Sequence, residues 1–258
     1  MSARGCPVWP LGKNFELLVV DDGSTDDTEY RIRAQYAQEL NSGKLKYFHK
    51  EHEGVCKARN YALARAKEKW IAYCDSDNIM FPHFLEVYMV NILRHPEEKI
   101  FYAQWRLMSD KRTMSRDFNY DDLLAGNYID MGVFVHLRDF YTKCGGFDEN
   151  LTRLEDWDLI LKYTSECKPF YIQLPVLMYS DRNDAKRVTN LQDGGRNFAY
   201  IKKKYCRQVV STVITSYNHE EFIAQAIKSA IQQQGNFIHE IIISDDGSTD
   251  NTHNIIKI

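Results

Sequence analysis

The sequence has no long hydrophobic run, no excess of positive charge and no paired cysteine motif, and each absence excludes a class of protein. No apolar run approaches the roughly 20 residues of a membrane-spanning helix, and residues 1–13 lack the apolar core of a signal peptide. The net charge is −3 with dispersed basic residues, which offers no surface for nucleic acid. Six cysteines without a C-x-x-C pair indicate reduced thiols rather than zinc ligands. We therefore expect a soluble, cytoplasmic protein that binds no nucleic acid, with peripheral membrane association left open.

What the sequence does contain is an alternation of short apolar runs with helical patterns. The runs "FELLVV", "KLKYFH" and "KWIAYC" are typical of buried strands, and residues 25–40 and 54–67 between them are typical of helices. Such alternation indicates βαβ units on a parallel sheet, in which loops at the carboxyl ends of the strands carry the ligands. The chain therefore predicts an α/β fold with a mostly parallel central sheet flanked by helices.

One motif occurs twice: D-D-G-S-T follows an apolar strand at residues 21–25 and again at residues 245–249. Before the second copy, residues 209–244 have room for a strand, a helix and a strand, whereas only 20 residues precede the first copy. The first copy therefore lacks an opening strand and helix, and the second lacks everything after its second strand. We expect two domains, at 14–206 and 207–258, cut from a longer protein with two similar domains in tandem.

Acidic residues stand at the ends of two predicted strands. Asp21 and Asp22 begin the first D-D-G-S-T, which is also compatible with a capped turn, whereas a calcium loop is disfavoured because its alternating ligands are missing. Asp75 and Asp77 follow "KWIAYC" with one small residue between them. Two carboxylates so close repel each other unless a cation or hydrogen bonds absorb the charge. They predict a divalent metal site that would also hold phosphates, with an acidic helix start as the alternative.

Two further clusters place charge on predicted helices. Glu155 and Asp156 open E-D-W-D at a helix start, where acids are favoured electrostatically and need no further function. A carboxylate here, beside Trp157, could instead serve as a general base. Lys57 and Arg59 lie on an early turn of the helix at 54–67, where they face either a diphosphate or only solvent.

The motifs D-D-G-S-T, G-V-x-x-A-R-N, D-S-D, G-G-F-D-E and E-D-W-D occur in this order along the chain. Together they resemble the family 2 glycosyltransferases of the GT-A fold, an inverting group that builds bacterial polysaccharides and includes two-domain chondroitin and hyaluronan polymerases. The resemblance covers residues 14–205, and residues 211–252 resemble the opening of the same domain. It implies transfer of a sugar from a nucleotide sugar, with a UDP-sugar as the expected donor, to a glycan or lipid-linked acceptor.

The resemblance also implies a role for each candidate residue. Asp22 would contact the nucleotide base, Asp75 the ribose side, and Asp77, together with Asp75, would bind Mn²⁺ or Mg²⁺. Asp156, with Glu155 beside it, would deprotonate the acceptor hydroxyl. The implied donor-binding residues are Asp21, Asp22, Lys57, Arg59, Asp75, Thr215 and Tyr217.

Two departures from the family pattern concern the donor pocket. Many relatives have a His after the last strand that helps to hold the metal or diphosphate, but residues 179–190 contain none, so that Arg182, Asn183 or Asp184 could substitute. The absent first strand ends in T-x-Y-N in the family. These residues occur here only in the second copy, at 215–218.

The missing strand leaves two expectations for V-V-S-T-V-I-T, residues 209–215. The segment could enter the empty position, in cis or from a second copy of the chain, and pair Val213 with the strand around Val19. It could instead stay with "EIIIS" as a small strand-helix-strand fragment, which would favour a truncated, inactive nucleotide-binding remnant over an active enzyme. A phosphotransferase or nucleotidyltransferase is a third possibility, but it leaves E-D-W-D unexplained.

Overall fold

The computed structural model describes residues 15–181, 194–205, 208–233 and 237–257. The chain divides into two compact units, residues 1–197 and 198–258. The sequence placed the boundary near residue 206. The unit boundary falls earlier, within the helix at 194–205, whose start stays with the first unit because Asn197 Nδ2 donates to Thr152 Oγ1 at 3.2 Å.

Ten strands lie within the described residues. They are β1 (Leu17–Asp21), β2 (Leu45–His49), β3 (Trp70–Ala72), β4 (Ile79–Met80), β5 (Ile100–Leu107), β6 (Thr113–Met114), β7 (Phe134–Leu137), β8 (Phe170–Tyr179), β9 (Gln208–Ser216) and β10 (Phe237–Asp245). The start of β5, residues 100–103, is hydrophobic and fully buried, as expected of a strand with both faces covered.

Ten α-helices and a 3₁₀ turn at Met131–Val133 lie in the same ranges. The helices are α1 (Thr28–Gln35), α2 (Ala37–Asn41), α3 (Val55–Leu63), α4 (Phe84–Arg94), α5 (Tyr120–Ala125), α6 (Asp139–Cys144), α7 (Glu155–Thr164), α8 (Gly194–Tyr205), α9 (Ile223–Ile231) and α10 (Thr252–Ile256). The helix predicted over 25–40 divides at Tyr36, because neither α1 nor α2 buries a residue that would hold a longer helix against the sheet. No helix of the described ranges is long and apolar enough to cross a bilayer.

The first unit contains a six-stranded sheet in the order β3-β7-β5-β8-β4, with β6 paired to β5. β5 and β8 are parallel, but β7 runs antiparallel to β3 and β5, and β4 runs antiparallel to β8. The α/β class is thus confirmed, and the sheet is mixed rather than mostly parallel because β7 opposes both of its neighbours. α4 covers this sheet, where Phe84 and Tyr88 join Phe101 and Val135 in the core. Burial of each such side chain contributes about 1.5–3 kcal/mol.

β1 and β2 form a separate parallel pair, in which Val19 lies opposite Tyr47. Among the described strands, β1 pairs only with β2, and β3 is an end strand that pairs only with β7. Leu17 in β1 is 49% exposed, which is high for an apolar residue of a doubly wound sheet. In this part of the chain, β1 and β3 therefore each have one edge without a strand partner.

In the second unit, β9 and β10 pair in parallel, with Val213 opposite Ile242. α9 connects them, and its residues Ala226 and Ala230 line a cleft of about 580 Å³ together with the β9 residue Ile214. The described residues 208–233 and 237–257 thus contain the strand-helix-strand fragment. Within this one chain, the pairing predicted between Val213 and the strand around Val19 is not among the strand pairs of the described residues, and for two copies of the chain it stays a prediction. The ladder between β9 and β10 satisfies the backbone groups along the facing edges of both strands.

Candidate active site

The first D-D-G-S-T turn is built around the buried carboxylate of Asp21, the last residue of β1. Asp21 Oδ1 accepts from the Ser24 N–H at 2.8 Å, and Tyr47 on β2 donates its hydroxyl to Oδ2 at 2.5 Å. Burial alone would raise the pKa of Asp21, but the hydrogen bonds from Tyr47 and Ser24 lower it to about 2. Asp21 is therefore an ionised support that closes the turn.

Asp22 points from the same turn to the start of α3. Its Oδ1 accepts from Lys50 Nζ at 2.8 Å, and its Oδ2 accepts from the N–H of Gly54, the residue before α3, at 2.8 Å. Burial alone would raise the pKa of Asp22, but the hydrogen bonds from Lys50, Glu53 and Gly54 lower it. Asp22 thus connects the β1 turn to the N-terminus of α3, and its contact with a nucleotide base stays a prediction.

Gly23 lets the turn approach the segment before α3. Its φ of +85° lies in the region that favours glycine, and a Cβ atom at this position would lie 2.7 Å from the backbone nitrogen of His52. A side chain at residue 23 would therefore displace the segment that carries Lys50 and Gly54, the partners of Asp22.

The two basic residues of α3 have different surroundings. Lys57 is exposed and pairs with Glu53 one turn earlier, at 3.1 Å. Arg59 is largely buried and points into the site, where its guanidinium meets carboxylates from two other parts of the chain. Of these two basic residues, only Lys57 therefore has its charged group at the surface.

The D-S-D segment forms a turn between β3 and β4. The Asn78 N–H donates to Asp75 O at 3.0 Å, and the buried Asn78 side chain accepts from the Ser180 N–H at the end of β8 at 3.0 Å. Arg59 Nη2 donates to Asp75 Oδ1 at 2.7 Å, and Asp77 is exposed. Both carboxylates fit a hard cation through their oxygen atoms, although no group of three Asp, Glu, His or Cys residues in the described part of the chain is arranged to hold an ion.

The E-D-W-D segment forms the first turn of α7 and divides its four residues between two surroundings. Trp157 is buried and donates its indole N–H to Leu123 O at 2.7 Å, and Asp158 is buried as well. Glu155 and Asp156 instead accept from Arg59. Burial raises the pKa of Asp156, and the Arg59 guanidinium opposes that rise.

Asp130, which sequence reasoning missed, belongs to the same acidic neighbourhood. Its Oδ1 accepts from the Gly132 N–H at 2.9 Å and caps the 3₁₀ turn before β7. Burial raises the pKa of Asp130 to about 6, and the charges of Asp75 and Asp77 add to the rise. The only sequence signal is an Asp before Met-Gly in an irregular stretch, which predicts a cap and no more.

The structure thus gathers Arg59, Asp75, Glu155 and Asp156 in one network. Thr215 pairs with Ser244 in the second unit, and the exposed Tyr217 follows β9 there. The suggested substitutes for the family His, residues 182–184, lie outside the described residues.

The family model for glycosyl transferase family 2 matches residues 11–131 and 211–257, more than half of the chain. Among curated relatives, an uncharacterized glycosyltransferase of Rickettsia felis is 27% identical over 95% of this chain and 50% of its own length. The chondroitin synthase of Pasteurella multocida is 25% identical over 81% of this chain and 22% of its own length. The chain spans half of the length of these relatives or less.

Two solved structures share the fold. S. aureus TarS, solved with UDP-GlcNAc, has a TM-score of 0.62 at 17% identity and covers 75% of this chain and 57% of its own. The Pyrobaculum calidifontis mannosyltransferase PcManGT, solved with GDP-Man and Mn²⁺, has a TM-score of 0.50 at 16% identity and covers 86% of this chain and 56% of its own. At these identities the likeness shows the GT-A fold alone, whereas the two family-model matches each contain one D-D-G-S-T copy. The chain therefore belongs to the family 2 glycosyltransferases.

Proposed function

We propose that the first unit transfers a sugar from a UDP-sugar to a hydroxyl group of a glycan or lipid-linked acceptor, with inversion at the anomeric carbon. One observation carries the proposal: Arg59 joins Asp75, in the turn after β3, to Glu155 and Asp156, at the start of α7. The carboxylates that the family resemblance gives to the donor and to the acceptor therefore meet in one network. UDP-GlcNAc in TarS and GDP-Man in PcManGT support a nucleotide-sugar donor.

Asp75 and Asp77 would hold the divalent ion of this reaction, Mn²⁺ or Mg²⁺. They offer carboxylate oxygens from one turn, which are the ligands that such ions prefer. The Mn²⁺ in PcManGT supports the assignment. When bound, the ion would neutralise the charge that develops on the diphosphate leaving group.

The other donor contacts would come from β1 and α3. Asp22 would face the nucleotide base with Asp21 as its buried support, and the exposed ammonium of Lys57 would reach the diphosphate. Thr215 lies in β9 of the second unit and Tyr217 follows that strand, and we assign them to that unit's D-D-G-S-T turn rather than to this donor.

Asp156 would act as the general base on the acceptor hydroxyl. Burial raises its pKa, and a carboxylate with a raised pKa accepts a proton more readily. Attack from the face opposite the leaving diphosphate inverts the anomeric carbon, so the reaction needs no covalent sugar intermediate. Glu155 would share the Arg59 contact beside the base.

An inactive nucleotide-binding remnant is the second candidate function, and the divided sheet favours it. In the described part of the chain, β1 and β3 each have an edge without a strand partner. The strand that the family places there carries residues of the donor pocket. A remnant would bind UDP but would not cleave a UDP-sugar to release UDP.

Calorimetric titration with UDP tests the metal assignment. We expect the affinity for UDP to fall about tenfold or more when chelator replaces Mn²⁺, and Asp77→Asn to remove this difference without lowering the melting temperature. Asp121→Asn, which changes an exposed acid at the start of α5, is the control and should behave as the original protein. Equal UDP affinity with Mn²⁺ and with chelator would show that the metal assignment is wrong. Release of UDP from UDP-GlcNAc, UDP-GalNAc or UDP-glucose, with the sugar passing to water or to an added glycan acceptor, distinguishes the enzyme from the remnant.

A further inference from the structure

Arg59 is the central cation of the candidate active site. Only 16% of its side chain is exposed, and its guanidinium carbon lies 5.2 Å from the ring centre of Phe147. Nη2 donates to Asp75 Oδ1 at 2.7 Å, and Nη1 donates to Glu155 Oε1 at 3.3 Å and to Asp156 Oδ1. Both terminal nitrogens of the guanidinium are therefore committed to protein carboxylates.

This geometry differs from the donor contact that the family resemblance implies for Arg59. Three carboxylates around one guanidinium would repel one another without it. The planar fork of arginine can bind carboxylates on two sides at once, whereas a lysine ammonium acts as a single point charge. The residues that Arg59 connects come from separate elements, Asp75 from the turn after β3 and Asp156 from the first turn of α7. Arg59 thus fixes the distance between those two elements within the site.

We propose that Arg59 is a positioning residue that holds the acceptor-side base Asp156 in place against the donor-side carboxylate Asp75, and that it does not itself bind the diphosphate. The inference rests on the proposed function, because the roles of Asp75 and Asp156 come from there. Since both carboxylates share one guanidinium, a donor that engages Asp75 alters the hold of Arg59 on Asp156. The two sides of the site are therefore coupled through one side chain.

Kinetics with the active UDP-sugar of the panel, together with the Kd for UDP in Mn²⁺, separate positioning from donor binding. Arg59→Met should lower kcat by about 100-fold or more, as for a displaced general base, while the Kd for UDP changes less than about threefold. Arg59→Lys should restore only part of kcat, because its ammonium cannot span both sides. Arg65→Met, just beyond α3 and stacked on Tyr61, is the matched control and should change neither value. A loss of UDP affinity of about tenfold with kcat retained would overturn the inference.

A double variant gives a readout that does not depend on turnover. Arg59→Met leaves Asp75, Glu155 and Asp156 together without their cation, so we expect a lower melting temperature. Adding Asp156→Asn removes one of these charges and should raise the melting temperature above that of Arg59→Met, with no further loss of kcat. A double variant that melts below Arg59→Met would overturn the inference. If the original protein binds UDP but releases none from any UDP-sugar, the proposed function fails, and the melting temperatures and UDP affinities still decide the role of Arg59.

Discussion

The chain contains the D-D-G-S-T turn twice, and the two turns differ in which strands and helices hold them. The first turn is held by elements that follow it in the chain. Asp21 accepts a hydrogen bond from the hydroxyl of Tyr47 on β2. Asp22 accepts hydrogen bonds from Lys50 and from the N–H of Gly54 at the start of α3. With 18% of its side chain exposed, Asp22 is mostly enclosed by these partners.

The second turn is held chiefly by elements that precede it in the chain, together with His253 of α10, whose Nδ1 lies 3.6 Å from Asp245 Oδ2. Asn218, just after β9, accepts from the Thr249 N–H at 2.7 Å and donates its own N–H to Ser248 Oγ at 2.9 Å. Asp245, the counterpart of Asp21, accepts from Ser248 Oγ at 2.5 Å within its own turn. Asp246, the counterpart of Asp22, is exposed.

Within the described residues, the two copies of the motif therefore have different neighbours. The first pairs its strand with the strand after the motif, and the second pairs its strand with the strand before it. The same motif therefore places its second aspartate differently in the two units. Asp22 is enclosed and bonded to Lys50 and Gly54, whereas Asp246 is exposed to solvent. The motif alone does not specify a site; the strand and helix on its far side complete it.

The largest expected difference between the units concerns the general base, because residues 208–257 contain no counterpart of E-D-W-D. Asp156→Asn should lower transfer by the whole chain by about 10²- to 10⁴-fold, with the affinity for UDP unchanged, as expected when a general base is lost. Asp139→Asn, which removes an exposed acid from the first turn of α6, is the control for a helix-start effect and should leave transfer intact. A matching loss of UDP affinity in Asp156→Asn would place this residue on the donor side.

Much of the first unit could be predicted from local patterns, because strand ends and helix starts are marked by adjacent residues. The apolar runs before Asp21 and Asp75 indicate where two strands end, and the parallel pairing of β1 with β2 follows from the helix between them. The direction of β7 could not be predicted, because a strand's partner on the far side of a sheet leaves no local signal.

The Arg59 network could not be predicted from the sequence either, for a similar reason. The sequence shows Glu155, Asp156, Trp157 and Asp158 in a row, but only packing decides which pair faces Arg59 and which faces the core. The segment around Val213 shows the same limit: its pattern fits the empty strand position, and within the described chain it lies opposite Ile242 in the ladder between β9 and β10. The pattern of a strand does not by itself identify the strand that will pair with it.

An intermediate effect is expected from matched changes in the two turns. Asp22→Asn removes the ion pair with Lys50 and places an amide beside the Gly54 N–H, so we expect destabilisation of about 1–3 kcal/mol and weaker binding of UDP. Asp246→Asn changes the exposed counterpart and should stay within about 0.5 kcal/mol, with the UDP affinity unchanged. Chemical unfolding and calorimetry measure both quantities. Equal losses of UDP affinity in the two variants would mean that both turns bind nucleotide and that the comparison fails.

The smallest effect should come from the loss of the hydrogen bond that the Tyr47 hydroxyl on β2 donates to Asp21. In the second turn, Asp245 instead accepts a hydrogen bond from Ser248 within its own turn. Hydrogen bonds lower the pKa of Asp21 to about 2 against the effect of burial, so its ionised form stabilises the fold above its ordinary pKa. That contribution is lost as the pH falls through about 2. Tyr47→Phe should raise the pKa of Asp21 and shift the midpoint of acid unfolding, followed by tryptophan fluorescence, upward by a few tenths of a pH unit. Tyr30→Phe, at a side chain that is 74% exposed, should leave the midpoint in place. An unchanged midpoint in Tyr47→Phe would mean that the contacts with Ser24 and His49 suffice to keep Asp21 ionised, and the two turns would then be anchored more alike than their neighbours suggest.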